Sequence, residues 1–356
     1  MNIKKVMKLG YRIFLSNFNA LKYPYKLTFA ITYRCNSRCK LCNIWQKKHD
    51  DELSLEEIEN FSKKSNFFSW INLTGGEPFL RNDIVSIVNN LIENSNDLYL
   101  LNLTTNGLIP DLIRKRTEEI LSINPCNMVV VVSLDGTREI HDKIRGIQGS
   151  WDKVIETYRL LKDLSKINNN FQSFLGMTLS SLNLGKFEET YYSVKEIIPE
   201  VTPNDFHVNL CHYSSHYYSN LNISNLTGSE SKILEDIEKV IYLRHKNFNP
   251  ISFLEESYLK LAKQFVKTNK TPLNCKAIDT SCFIDSFGNV FPCTIFDKKL
   301  GNLRDNDYNL IKILNSETAN KIKKEVKELK CPNCWTPCEA YQMVLGDFKN
   351  FLRSNL

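Results

Sequence analysis

The densest source of chemistry in this chain is a set of three cysteines in CxxxCxxC spacing, Cys35, Cys39 and Cys42, within Arg34-Cys35-Asn36-Ser37-Arg38-Cys39-Lys40-Leu41-Cys42. Thiolates this close share one ion or one cluster. A tetrahedral structural zinc takes four protein ligands and an iron–sulfur cube ordinarily takes four cysteines, so the segment is one ligand short. Either a distant residue completes a zinc knuckle, or the fourth position belongs to something that is not protein.

The whole chain limits what this site can serve. At 356 residues, with 42% hydrophobic and 24% charged residues, it is long enough for one large globular domain and a smaller one. The net charge of +6 and pI near 8.6 are too mild for the basic footprint of a nucleic-acid binder, so no nucleic-acid partner is expected. They suit an acidic partner such as a small electron-transfer protein. Nine of the eleven cysteines fall in two groups with metal-like spacing, and Lys4, Lys5, Lys8 and Arg12 break up the first apolar run before it could act as a secretion signal. This points to a reducing, cytoplasmic setting. Residues 1–21 form a basic amphipathic segment, with Ile3, Val6, Met7, Phe14, Phe18 and Leu21 near one helical face. Packing on the main domain is the expected use of that face, and contact with a membrane surface is the alternative.

The elements that must position the cysteines follow in order. Leu27–Thr32 is apolar and β-branched and delivers the cysteine loop from its C-terminal end. Ser54 and Glu57 form a capping box that opens a helix to about Ser65. The same reading gives strands over Trp70–Leu73, Tyr99–Leu103, Met128–Ser133, Phe174–Leu179 and Phe206–Leu210. Helices are expected over Asn82–Asn94, Pro110–Ser122, Trp151–Ser165 and Lys186–Ile198. Alternation at this spacing implies βαβ crossovers and a parallel sheet, an α/β partial (β/α)6 barrel whose site lies beyond the strand ends. Gly75-Gly76-Glu77-Pro78, Thr105-Asn106-Gly107 and Ser133-Leu134-Asp135-Gly136 then share one rim with the cysteines. The glycine pair is suited to close approach by a ligand, and Glu77 to pairing with an ammonium. Cys211, His212 and His216 follow the sixth strand. The loop from Cys211 to Glu230 is read first as surface, and second as a cover over the mouth.

These motifs, with His141-Asp142-Lys143-Ile144-Arg145-Gly146, resemble radical S-adenosylmethionine enzymes over most of the chain. The resemblance implies that Cys35, Cys39 and Cys42 hold a 4Fe-4S cluster whose open iron takes the amino and carboxylate groups of S-adenosylmethionine. It further implies that Leu41 meets the adenine, and that Gly75, Gly76 and Glu77 meet the methionine amino group. Ser133 or Asp135 would lie near the ribose, and Arg145 would reach the methionine carboxylate. Reductive cleavage would yield a 5'-deoxyadenosyl radical that abstracts hydrogen from substrate.

After helices expected over Ser231–Arg244 and Leu254–Thr268 comes a second cysteine field. Cys275, Cys282 and Cys293 surround a hairpin at Asp285–Asn289, and Cys331, Cys334 and Cys338 follow. A zinc ribbon is one reading of such a field. The spacing from Cys275 through Gly288 to Cys293, then CxxC, resembles a SPASM domain, which implies auxiliary iron–sulfur clusters. One auxiliary 4Fe-4S cluster drawing on both groups is expected, with the choice between Cys275 and Cys282 left open. Cys126 and Cys211 fit neither pattern. The expected layout is an N-terminal segment (1–21), a partial barrel (22–228), a helical linker (229–272) and a SPASM-like domain (273–356). The expected activity is radical modification of a peptide or protein side chain, served by a flavodoxin or ferredoxin as electron donor. Two alternatives remain, a small-molecule or lipid-linked substrate and a zinc-stabilised, non-catalytic binding protein.

Overall fold

The computed structural model describes residues 3–123, 126–244 and 250–354. Helix α1 (Ile3–Asn17) leads into β1 (Lys26–Thr32), followed by α2 (Leu55–Lys64), β2 (Trp70–Gly75), α3 (Ile84–Asn94), β3 (Leu100–Thr105), α4 (Pro110–Ser122) and β4 (Asn127–Ser133). Two helices, α5 (Arg138–Arg145) and α6 (Ser150–Ile167), precede β5 (Phe171–Leu179), and α7 (Phe187–Lys195) precedes β6 (Phe206–Leu210). Then come α8 (Glu230–Leu243), α9 (Pro250–Thr268), β7 (Ser281–Ile284), β8 (Asn289–Phe291), β9 (Gly301–Asn302), α10 (Leu310–Leu314), α11 (Glu317–Lys327), α12 (Pro337–Gly346) and α13 (Phe348–Ser354).

The first six strands pair in sequence order, all parallel, as the βα alternation requires. Their sheet is open: the order β6-β5-β4-β3-β2-β1-β7-β8-β9 has two ends, so the barrel is partial. Strand β1 is buried at every residue because it has neighbours on both sides and helices over its outer face. Its second neighbour, β7, lies parallel to it with Lys26 opposite Ser281 and Phe29 opposite Ile284. The expected boundary near residue 273 therefore does not interrupt the sheet. The hairpin around Asp285–Asn289 joins β7 to antiparallel β8, with Gly288 at φ +80° and the Asp285 carboxylate accepting from the Phe287 and Asn289 amides.

The capping box at α2 forms as its sequence dictates, Ser54 Oγ accepting from Glu57 N and Glu57 Oε2 from Ser54 N. Glu57 also accepts from Arg304 Nε at 2.6 Å and the Tyr308 hydroxyl at 3.0 Å, which ties α2 to the C-terminal region. Helices α5, α10, α11, α12 and α13 lie outside the sequence expectation, because each is short or carries only a narrow apolar stripe. Among the described residues, no helix is long and apolar enough to cross a membrane.

The Arg304 hydrogen bonds hold the Glu57 carboxyl at about 2, well below its ordinary value. A group with a depressed folded pKa stabilises the fold above its unfolded value and loses that contribution as pH falls through the folded value. Wild type and Glu57→Gln should thus differ most in thermal midpoint above about pH 5, and less as pH falls from about 4.5 toward 2. Melting curves across that range check this, and a constant difference would contradict it.

Candidate active site

The segment Cys35–Cys42 has almost no regular structure of its own, so its shape is imposed by what it hangs from. Gly76 N donates to Thr32 O at 2.8 Å and Glu77 N to Arg34 O at 2.7 Å. Arg38 N and Lys40 N donate to Arg145 O and Ile144 O at the end of α5, at 3.0 and 2.8 Å. Asn106 Nδ2 donates to Asn36 Oδ1 at 2.7 Å and lies 3.8 Å from Cys35 Sγ. Two motif loops and one helix end therefore fix three cysteines.

This arrangement changes what several motif residues do. A Cβ on Gly75 would stand 2.0 Å from Thr32 O, and one on Gly76 2.2 Å from Arg34 O. The glycine pair is required first for backbone to approach backbone, although both residues also line the cavity described below. Glu77 turns under the loop. It is fully buried, does not line that cavity, and accepts from Asn106 N at 2.6 Å, Thr105 Oγ1 at 2.9 Å and Phe79 N at 3.2 Å. Burial pushes its carboxyl up to about 7 against the pull of those donors. These hydrogen bonds clamp the strand ends together through the Glu77 carboxylate.

The Ser133–Gly146 motif divides in a similar way. Ser133 lines the cavity. The Asp135 carboxylate receives Thr178 N at 3.0 Å and pairs with Arg145 Nη2 at 2.7 Å, while Arg145 Nη1 lies 3.6 Å from Cys39 Sγ. Burial lowers the Arg145 pKa, but Asp135 and the Cys39 thiol outweigh it and hold the guanidinium charged. Exposed ion pairs such as Arg114–Glu118 contribute about 0–1 kcal/mol each. Breaking a buried pair of this kind costs about 3–5 kcal/mol. His141 Nδ1 accepts from Asp135 N, and Asp142 caps α6 by accepting from Gly149 N and Ser150 Oγ. Gly146, at φ +67°, leaves room that a Cβ would fill 2.4 Å from Arg38 O.

Above this frame lies a cavity of about 340 Å³ lined by Cys35, Cys39, Cys42 and Leu41 and continuing down the inner face of the strands. The inward positions alternate along each strand: Trp70, Asn72 and Thr74 on β2, Asn102 and Thr104 on β3, His207 and Asn209 on β6. Asn102 Oδ1, His207 Nε2 and Thr294 Oγ1 are buried there without a partner. Among the described residues lining the cavity, Arg145 and Asp135 are the only permanently charged pair, and they neutralise one another. Leu41, Ile144 and Cys211 form an apolar patch beside the cysteines.

The loop after β6 is a cover and not a surface excursion. Tyr217 is buried, with its hydroxyl 2.8 Å from Thr74 Oγ1, and Tyr218 lines the cavity beside it. Asn43 N donates to Tyr218 O at 2.8 Å and Asn220 Nδ2 to Leu41 O at 3.0 Å. His212 and His216 are scaffolding: His212 Nε2 faces Trp335 N, and His216 Nε2 is 3.0 Å from Cys293 O. Burial lowers both imidazoles to about 4, so they are neutral near pH 7.

The six C-terminal cysteines separate. Cys275, Cys293, Cys331 and Cys334 line one small pocket with apolar neighbours such as Phe296 and Met343. Cys282 does not line it. It sits in β7 opposite Leu27, fully buried in the sheet. Cys338, at the start of α12, lines the large cavity instead, where Lys26 donates to its carbonyl and to Gln342 Oε1. Among the described residues, no three Cys, His, Asp or Glu side chains converge closely enough to chelate a single ion. The thiols surround spaces and not points.

Burial pushes Cys35 up to about 11 and Cys42 and Cys334 up to about 12, and neighbouring thiols raise one another further. Such groups stay protonated unless metal charge replaces the protons. Both sets of donors therefore fit an iron–sulfur group. Cys126 lines neither space, whereas Cys211 lines the large cavity beside the first set.

Residues 29–191 match the Radical SAM superfamily profile, and residues 275–339 match an iron–sulfur cluster-binding domain named SPASM. The chain is 26% identical over 346 residues to the antilisterial bacteriocin subtilosin biosynthesis protein AlbA of Bacillus subtilis, covering 90% of this chain and 67% of that protein. It is 27% identical to a cysteine-type anaerobic sulfatase-maturating enzyme of Clostridium novyi, covering 85% and 83%. A probable GTP 3',8-cyclase of Methanocaldococcus jannaschii is 28% identical, covering 60% and 68%. Among solved structures, Streptococcus suis SuiB bound to precursor peptide SuiA superposes with a TM-score of 0.57 at 18% identity, covering 90% of this chain and 70% of that one.

Replacing Gly76 by Ala should displace the loop at Arg34 and remove about four irons per chain, one cube's worth, while far-ultraviolet circular dichroism stays near wild type. Iron analysis after anaerobic reconstitution checks this, and an undiminished iron content would contradict it.

Proposed function

Given that this chain belongs to the radical S-adenosylmethionine superfamily and carries its SPASM extension, we propose how its residues divide the work of that chemistry. The enzyme binds a 4Fe-4S cluster, S-adenosylmethionine and an auxiliary cluster. When bound and reduced, the first cluster cleaves S-adenosylmethionine to a 5'-deoxyadenosyl radical that abstracts hydrogen from substrate.

Cys35, Cys39 and Cys42, which line the large cavity, would hold the first cluster. The apolar patch of Leu41, Ile144 and Cys211 suits the adenine, the Ser133 hydroxyl suits the ribose, and backbone at Gly75 and Gly76 suits the methionine amino group. Arg145 steadies Cys39 with its positive charge, and its guanidinium suits the methionine carboxylate. Asp135 orients Arg145, and Glu77 positions the loop from beneath. Tyr217 and Tyr218 exclude water from the mouth. Cys275, Cys293, Cys331 and Cys334 form a complete ligand set for the auxiliary cluster, leaving Cys282 in the core and Cys338 in the wall of the substrate cavity.

The substrate class is carried by the character of that cavity. A phosphate-rich substrate needs uncompensated cations, whereas the lining offers amides and hydroxyls, Asn72, Asn102, Asn209, Thr104 and Thr178, beside a self-neutralised pair. Such a lining matches the alternating donors and acceptors of a peptide, so the enzyme modifies a peptide or protein side chain. The names of the sulfatase-maturating enzyme and of SuiB with its precursor peptide agree with this reading. The electron donor is an acidic flavodoxin or ferredoxin drawn by the net positive charge.

Protein purified without oxygen should carry about eight irons per chain, two cubes, and release 5'-deoxyadenosine when given S-adenosylmethionine and a reductant. Cys39→Ala should abolish that release. Cys275→Ala or Cys334→Ala should bring iron down to about four, while Cys282→Ala and Cys338→Ala should leave it unchanged. Colourless protein holding only zinc would refute the function. Iron loss in Cys338→Ala would refute the ligand assignment alone.

A further inference from the structure

Helix α1 is apolar on its outer side as well as on the half-buried side that carries Val6, Leu9 and Ile13. Its polar residues hold it to the protein: Arg12 reaches Ser69 Oγ and Asp97, Lys276 donates to Ser16 O, and Asn17 bonds Leu345 O and Phe348 N. Other large apolar residues face out. Ile3, Met7, Tyr11, Phe14 and Phe18 fall every three or four positions along one line, each between 58% and 68% exposed. A helix facing only water on that side would carry polar residues there. Beside Asn17, α13 exposes Phe348 and Leu352, and Phe348 packs through the buried Phe351 on the exposed Phe253 of α9. A contiguous apolar surface of this kind marks an interaction site.

The charge around it narrows the occupant. Residues 1–49 contain no Asp or Glu, while Lys4, Lys5, Lys8, Arg12 and Lys22 lie in or just after α1. Asp97 is shared by Lys8 and Arg12 of the helix. Lys349 adds an exposed cation on the α13 side. A second copy docking on this face would bring like charges together. An aromatic-rich apolar strip with a basic margin complements the interface of an anionic bilayer.

We propose that α1 and the start of α13 form a membrane-docking face that seats the enzyme reversibly on anionic lipid. The face lies apart from the cysteine sites and needs none of their chemistry. The test is flotation of the full holoenzyme with vesicles of phosphatidylcholine containing about a third phosphatidylglycerol, against phosphatidylcholine alone. Wild type should float with the anionic vesicles, less so at high salt. The triple variant Met7→Ser, Phe14→Ser, Phe18→Ser should bind at least about tenfold less, and Lys4→Glu with Lys349→Glu should lose the preference for anionic lipid. All should keep their iron and their 5'-deoxyadenosine release. Absence of flotation by wild type, or equal flotation of the triple variant, would overturn the proposal. So would a dimer in light scattering that the triple variant converts to monomer, which would assign the face to a second copy.

Discussion

Backbone hydrogen bonds to a loop that cannot shape itself are the constraint on which the first site depends. Between Cys35 and Cys42 the chain has no helix or strand to hold three thiols in a fixed arc. The arc comes from outside, from Glu77 N on Arg34 O, from the Arg145 and Ile144 carbonyls, and from the Asn106 amide. Each donor or acceptor lies at a strand end or the end of α5, so placing the thiols requires the parallel sheet to be complete and in register. The glycines follow from the same need. Gly75, Gly76 and Gly146 stand where two backbones meet closer than any side chain permits.

A second dependence runs through β1. Its N-terminal half pairs with β7 and its C-terminal end delivers the cysteine loop, so one strand is common to both cysteine fields. The loop after β6 adds a bridge above the sheet, from Leu41 and Asn43 through Asn220 and Tyr218 to His216 against Cys293 O. The C-terminal region is therefore a wall of the large cavity. Cys338 and Tyr341 of α12 line the cavity directly, and Lys26, the first residue of β1, is buried between Gln342 and the face of Trp70. The cavity inside the partial barrel is lined by both parts of the chain.

Much of this was legible in residue order. Alternation of apolar strands with capped helices, above all the Ser54–Glu57 box, gives the six parallel strands to within a few residues. CxxxCxxC and the glycine motifs locate the rim. What stayed hidden involves contacts distant in sequence. Nothing local shows that Ser281–Ile284 adds to β1, that Glu77 points beneath the loop, or that Cys338 departs from the neighbouring CxxC toward another cavity. Helix α12 begins at Pro337, and that turn carries Cys338 away from Cys331 and Cys334. The polar interior did leave a signal, the period-two placement of Asn72 and Thr74, of Asn102 and Thr104, and of His207 and Asn209. The apolar residues between them obscured it.

The central claim is that one set of three cysteines leaves an open coordination position for S-adenosylmethionine and a separate set of four leaves none. Electron paramagnetic resonance of the reduced protein, with and without S-adenosylmethionine, tests this most directly. In Cys334→Ala, where only the Cys35–Cys42 cluster remains, adding the cofactor should shift the signal. In Cys39→Ala, where only the auxiliary cluster is intact, the signal should not move. A cofactor-induced shift in Cys39→Ala, or none in Cys334→Ala, would contradict the account.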